Sequence, residues 1–305
     1  MSIEQHLIAE SKRLRNLTHA PGTLKAYDFA WKAFRAWCTT RGREALPASQ
    51  DTVVLYLTDI LGAGRRVVTA NQRAAGINYH HAQQGYPQPA GEGVKALLRG
   101  ARRDRAQSPA PKLAITLSLL RHICAITWQG KTNMEIRDHA LITLGFASAL
   151  RRSSICALDL EDVAFVPQGL VVQVRREKTD QLGIGRAVGI SRGLHPETCA
   201  VAALQKWLEI RGSAPGPLFL PICAPARHIH PETACRAIKR AVKSAELDPA
   251  RYGFHSLRSG FVTTAGEVNM SLLVIAQQTG HRSLDSLRRY FLSTELFRAS
   301  GGIGL

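Results

Sequence analysis

The segment Arg99-Gly-Ala-Arg-Arg-Asp-Arg-Ala-Gln-Ser-Pro-Ala-Pro-Lys112 constrains the fold of this chain more than any other. Pro109 and Pro111 offer no backbone N–H and bias the residues before them toward extended conformations, so no helix runs through them. The stretch is basic and has few groups to bury, as in an extended linker. What lies on either side must therefore fold separately, and 305 residues suit two domains. We place the first domain at residues 1–106, the linker at 107–112 and the second domain at 113–305.

The two sides differ in pattern. Before the linker the chain reads as helices only. Leu24, Tyr27, Trp31, Phe34 and Cys38 recur at helical spacing, which makes these aromatics core residues. Ser49 caps a second helix, a third starts at Val68, and a fourth runs from Gly93 to Arg103. After Lys112 helices resume. Residues 136–151 form one with an apolar stripe that ends in the basic pair Arg151-Arg152. A short helix restarts at Ser153 and closes over Asp159–Val163. Two strands, one starting at Gly169 and the other at Arg186–Ile190, flank a Lys178-Thr179-Asp180 turn, and helices finish the chain. The fold class is mainly α with a small antiparallel β-sheet. Gly183-Ile-Gly185 lacks the third glycine of a dinucleotide loop.

Charge narrows the partner. Forty Lys and Arg stand against 23 Asp and Glu, a net charge of +17, which argues for a polyanion. A hydrophobic content of 45% is ample for a core, so this is no disordered basic tail. The six cysteines form no C-x-x-C pair; a reducing cytoplasm suits them, with Cys156 and Cys235 read as buried thiols in helices. Among eleven histidines, His80-His81 and His228-Ile-His230 lack a matching ligand set, so no metal site is expected. The start has no signal-peptide character and no apolar run approaches membrane length, so no membrane partner is expected.

His255-Ser-Leu-Arg258, Gly280-His281 and Tyr290 concentrate reactive groups within 36 residues. His255 and Arg258 are three apart, so a helix projects both toward one phosphate. Phosphoryl transfer asks mainly for an aligned nucleophile and positive donors around the equatorial oxygens. A phenol, with a pKa near ~10, attacks well only in a cationic site or beside a base. An H-x-x-R pair alone arises by chance in basic proteins; the whole set is far more specific.

Taken in the order Arg, Lys, His-x-x-Arg, Gly-His, Tyr, with nine residues from His281 to Tyr290, the sequence resembles the tyrosine recombinase (phage integrase) family. The resemblance implies an N-terminal helical core-binding domain of the SAM-like type and a C-terminal catalytic domain. It implies a site-specific recombinase that cleaves and rejoins duplex DNA through a 3′-phosphotyrosyl bond, with no cofactor or metal. Carried over, Arg151 is the first catalytic arginine, with Arg152 its competitor. Leu150 before it, Ile155 and Leu158 after it at core spacing, and Asp162 at the closing acidic position favour Arg151. Lys178 resembles the β-turn lysine that protonates the leaving 5′ oxygen. His255 and Arg258 match the paired motif, His281 the second histidine and Tyr290 the nucleophile. Tyr252, the nearby rival, precedes the H-x-x-R helix. One departure stands out: where the family usually has Glu or Asp three residues after the first arginine, this chain has Ser154. A hydroxyl can accept from a guanidinium but brings no charge.

Two basic elements are candidates for DNA contact: Arg102, Arg103 and Arg105 at the linker, and Arg236, Lys239, Arg240 and Lys243 along one helical face. A solvated face is the plainer reading of either. Fifteen residues follow Tyr290, with Leu292, Leu296 and Phe297 at helical spacing. They either cover their own core or dock on a neighbouring protomer, as the resemblance implies for a tetramer on paired sites. Two alternatives to recombination remain: a type IB topoisomerase-like enzyme and a non-catalytic DNA-binding protein. The compact helical N-terminal part and the short tail after Tyr290 favour recombination.

Overall fold

Apolar spacing builds the first unit as a small helical bundle. The computed structural model describes residues 3–16, 18–104, 112–175, 177, 184–223, 227–281, 283 and 287. The chain divides into two units, Met1–Ala110 and Pro111–Leu305. The first holds α1 (Ile3–Asn16), α2 (Pro21–Thr40), α3 (Gln50–Gly62), α4 (Val67–Gln83) and α5 (Glu92–Asp104). The first of these, α1, was not anticipated. Phe34, Cys38, Val53, Leu57, Ile77 and Leu98 fill its core. The helices α2 and α4 approach closely at Gly76, where a Cβ would lie 2.7 Å from that of Ala30. Ser49 caps α3 by accepting from the Thr52 N–H at 3.2 Å. His81 is fully buried: Nδ1 donates to the Ile77 carbonyl at 2.8 Å and Nε2 accepts from the Ala48 N–H at 2.9 Å. Both nitrogens are used, so the ring is a structural bridge.

The second unit is organised around α7 (Asn133–Ser148), which follows α6 (Leu117–Thr127). A capping box between Thr132 and Glu135 starts α7. It is buried on nearly every side, including Leu141, Ile142 and Leu144. Its buried hydroxyls satisfy themselves locally, Thr143 on the His139 carbonyl at 3.0 Å and Ser148 on that of Leu144 at 2.6 Å. Ala149 turns left-handed (φ 50°) and stops the helix. Helix α8 (Arg152–Cys156) and a 3₁₀ turn (Leu160–Asp162) lead into the sheet.

The sheet has three antiparallel strands in sequence order, β1 (Val163–Val166), β2 (Gly169–Val174) and β3 (Arg186–Ser191). Val172 pairs with Val163 on one side and Val188 on the other. Gly169 (φ 149°) must be glycine, since a Cβ there would sit 2.0 Å from the Ile190 carbonyl oxygen. The sequence reading begins the sheet at Gly169 and omits β1, a four-residue strand, Val-Ala-Phe-Val, that is apolar throughout and so carries no alternation of apolar and polar side chains. Helices α9 (Ala200–Arg211), α10 (Pro231–Ser244), α11 (His255–Glu267) and α12 (Leu272–Thr279) complete the unit. Among the described helices none is long and apolar enough to cross a membrane.

Two glycines dock α11. Gly145 of α7 leaves room for Leu257 and Phe254, each 2.9 Å from where its Cβ would be. Gly260 lies against the segment before α6, whose Ile115 N–H donates to the Ser256 carbonyl at 2.8 Å. A Cβ at 260 would fall 1.7 Å from the Ile115 carbonyl oxygen. Alanine would gain up to about 1 kcal/mol of helix propensity there. The clash is with backbone, which cannot rotate away, so it outweighs that gain. Gly260→Ala should therefore lose about 1–3 kcal/mol of stability by chemical unfolding. A variant as stable as the parent would mean that α11 does not lie on this segment.

Candidate active site

Local backbone geometry brings two arginines and two histidines together. Arg258, one turn into α11, is buried. Its Nη1 donates to the Ala149 carbonyl at 2.7 Å, at the left-handed end of α7. Its Nη2 is 3.1 Å from His281 Nε2. A guanidinium only donates, so Nε2 must accept and the proton of a neutral His281 sits on Nδ1. That nitrogen is 2.6 Å from Thr279 Oγ1, whose own proton goes to the Ile275 carbonyl.

Two residues beyond Ala149, Arg151 stands extended at the head of α8. Its Nη1 lies 3.2 Å from Glu177 Oε2. The pair is electrostatic only: this buried nitrogen makes no hydrogen bond among the described residues. Arg152 turns the other way, toward the Cys235 sulfur on α10. The structure thus separates two arginines that are adjacent in sequence, and Arg151 is the one in the cluster. Ser154 is buried, but among the described residues its hydroxyl makes no hydrogen bond to Arg151.

The side chain of Glu177 is only 5% exposed and is held by Arg186 at two points, Nε to Oε2 at 3.1 Å and Nη2 to Oε1 at 3.3 Å. Arg186 also donates to the carbonyls of Gln277 and Gln278 at the end of α12. Neither residue was singled out from the sequence. The one signal available was the missing acid at position 154.

The cluster is strongly cationic. Burial lowers the pKa of His281 to about 4, helped by the charges of Arg258, Arg151 and His255 and opposed by Glu177. His255 opens α11 and is also lowered, by desolvation and then by Arg258 and Arg151. Its residue surface is exposed, so the two arginines are the firmer cause. Both imidazoles are therefore held neutral at pH 7.

Tyr252, the rival nucleophile, is buried in the core at 7% exposure. Lys178, Tyr290 and Arg105 lie outside the described residues, as does the tail from 291. Arg102 and Arg103 are exposed in the last turn of α5, in the first unit. On α10, Arg236, Lys239 and Lys243 are exposed. Arg240 instead turns in to Asp138, a buried carboxylate also held by Arg137 at 2.7 Å. Cys156 is buried and Cys235 partly so.

Residues 116–295 match the phage integrase family. An integrase/recombinase xerD homolog of Selenomonas ruminantium is 33% identical over 302 residues, covering 96% of this chain and 88% of that one. The chain belongs to the phage integrase family. A tyrosine recombinase XerD of Caulobacter vibrioides is 24% identical, over 89% of this chain and 86% of its own. The fold is similar to the Tn1549 transposon integrase in complex with transposon right-end DNA, with TM-score 0.68 and 16% identity over 96% of this chain and 98% of that one. It is also similar to a lambda integrase dimer bound to a COC′ core site, with TM-score 0.62 and 18% identity over 95% of each chain. As a member of this family the chain is a tyrosine-type site-specific recombinase.

The depressed histidine pKa makes a pH prediction. Between about pH 6.5 and 4 the unfolded chain protonates His281 while the folded chain does not. The unfolded state then binds more protons, so this histidine's contribution to stability falls as pH drops through that window. In NMR titration of the DNA-free protein, His281 should titrate well below 6.5, and a bound duplex should raise its midpoint. A midpoint at or above 6.5 without DNA would contradict the arrangement.

Proposed function

We propose that this cluster receives one phosphodiester of duplex DNA and that Tyr290 breaks it. What supports this reading most is the convergence of Arg151, Arg258, His255 and His281 from three separate parts of the second unit. A site cationic enough to keep its own histidines neutral favours an anion. Arg151, whose side chain stays partly exposed beside Glu177, offers that anion a donor.

In this reading Arg151 and Arg258 donate to the nonbridging oxygens and spread the charge that builds up on them. Neutral His255 takes the phenolic proton of Tyr290 as the new O–P bond forms. Lys178 gives a proton to the departing 5′ oxygen as the old P–O bond breaks. The 3′-phosphotyrosyl bond conserves the phosphodiester's energy, so attack by a 5′ hydroxyl of the same or a partner strand reverses the sequence. His281 can donate to the phosphate once the anion's charge offsets Arg258 and raises the imidazole pKa.

Arg102, Arg103 and Arg105 together with Arg236, Lys239 and Lys243 would hold the backbone of the duplex, and Arg240 contributes less because Asp138 engages it. Docking of the tail residues Leu292, Leu296 and Phe297 on a neighbouring protomer, to close a tetramer, rests on the resemblance. Six free cysteines, four of them buried, support a reducing cytoplasmic setting.

Tyr290→Phe should bind duplex normally yet form no SDS-resistant adduct on a nicked suicide substrate, because only the attacking oxygen is lost. An adduct that persists would assign the nucleophile elsewhere. Lys178→Ala should cleave an ordinary substrate poorly and a 5′-bridging phosphorothiolate almost normally, since a thiolate leaves without a proton. No rescue would remove Lys178 from the role of general acid.

A further inference from the structure

We propose that Glu177 is a positioning residue of the active site, supplying to Arg151 from the β2–β3 connection the carboxylate that position 154 lacks. The proposal rests on the reading of Arg151 as a phosphate-binding arginine. Four observations carry it. Ser154 brings no charge, and among the described residues its hydroxyl does not bond Arg151. The Glu177 carboxylate is nearly buried and 3.2 Å from Arg151 Nη1. It is held in place by two hydrogen bonds from Arg186, which in turn caps the carbonyl end of α12. Finally, the fold leaves space for it: a Cβ on Gly280 would lie 2.5 Å from Glu177 Oε2 and 2.9 Å from Arg186 Nε.

A surface glutamate beside an arginine would mean little, because exposed ion pairs are weak and mobile. Here desolvation makes misplacement costly: a buried carboxylate without its arginines is strongly disfavoured, so the three groups hold one arrangement. The consequence reaches beyond Arg151. Glu177 immediately precedes Lys178 and joins β2 to β3, so the carboxylate that orients the arginine also anchors the chain one residue from the proposed general acid. The glycine of Gly280-His281 acquires a reason too. Its left-handed backbone (φ 67°) ends α12, and its missing side chain admits the Glu177–Arg186 pair beside His281. Glu177 also acts on His281 directly, raising its pKa against the surrounding positive charge.

The test uses the full-length protein with Glu177→Gln, Glu177→Asp and the double variant Glu177→Gln/Ser154→Glu. Gel shift, single-turnover cleavage of a nicked suicide duplex, and the NMR titration of His281 without DNA are the readouts. Glu177→Gln should bind duplex as the parent does but cleave on the order of tenfold more slowly or worse, because Arg151 is then less firmly oriented toward the reacting phosphate. Its His281 midpoint should move further down. Glu177→Asp, which keeps the charge but withdraws it, should fall between. Returning a carboxylate at position 154 should restore much of the cleavage, which a merely structural loss would not allow. Cleavage by Glu177→Gln within twofold of the parent, or an unmoved His281 midpoint, overturns the proposal. If Glu177→Gln does not fold, Glu177→Asp decides: parental cleavage and midpoint overturn the proposal. Failure of the parent itself to form an adduct would count against the phosphotyrosyl reading, while the His281 titration would still judge Glu177.

Discussion

A guanidinium taken out of water organises this molecule's candidate active site. Arg258 is buried, and a buried cation must be met by acceptors held in place by the fold. One is the carbonyl of Ala149, presented because α7 ends there in a left-handed residue. Another is the ring of His281, fixed by Thr279 at the end of α12. One side chain on α11 thus ties together the end of α7, the entry to α8 and the residue after α12. Arg151 follows Ala149 by two positions, so its placement depends on the same joint. The two glycines that let α11 settle, Gly145 and Gly260, matter because a Cβ at either would clash where the helix docks, with Leu257 and Phe254 or with the Ile115 backbone.

Electrostatics then follow from crowding like charges. Two arginines near two imidazoles keep the imidazoles neutral, which leaves His255 able to take a proton at neutral pH. The single carboxylate in this cluster, among the described residues, is that of Glu177, shared between Arg151 and Arg186. It lowers the repulsion without neutralising the site. One carboxylate against several cations leaves the cluster net positive.

The basic character of the chain is unevenly used. On α10 a stripe of four cations looks uniform in sequence, but Asp138 beneath it withdraws Arg240 into an internal ion pair. Arg236, Lys239 and Lys243 remain exposed. In the same way Arg152 is spent on Cys235, while its neighbour Arg151 faces the cluster. Which cation serves a partner and which serves the fold depends on what lies under each helix face, and periodicity does not report that.

Much was legible in the sequence because the period of its apolar residues is local. Helices α2 to α5 of the first unit, strands β2 and β3, and the order of Arg151, His255, Arg258, Gly280 and His281 can all be read from spacing and residue type. Strand β1 was not legible, since four apolar residues in a row show no alternation. Nor was Glu177, because a glutamate beside a hairpin lysine is an ordinary solvated residue until the chain folds. Only the tertiary structure brings β3, the end of α12 and the head of α8 around that one carboxylate. Sequence determined which groups exist and how each helix turns its face. Long-range packing decided which charge is desolvated beside which partner, because burial depends on neighbours tens of residues away.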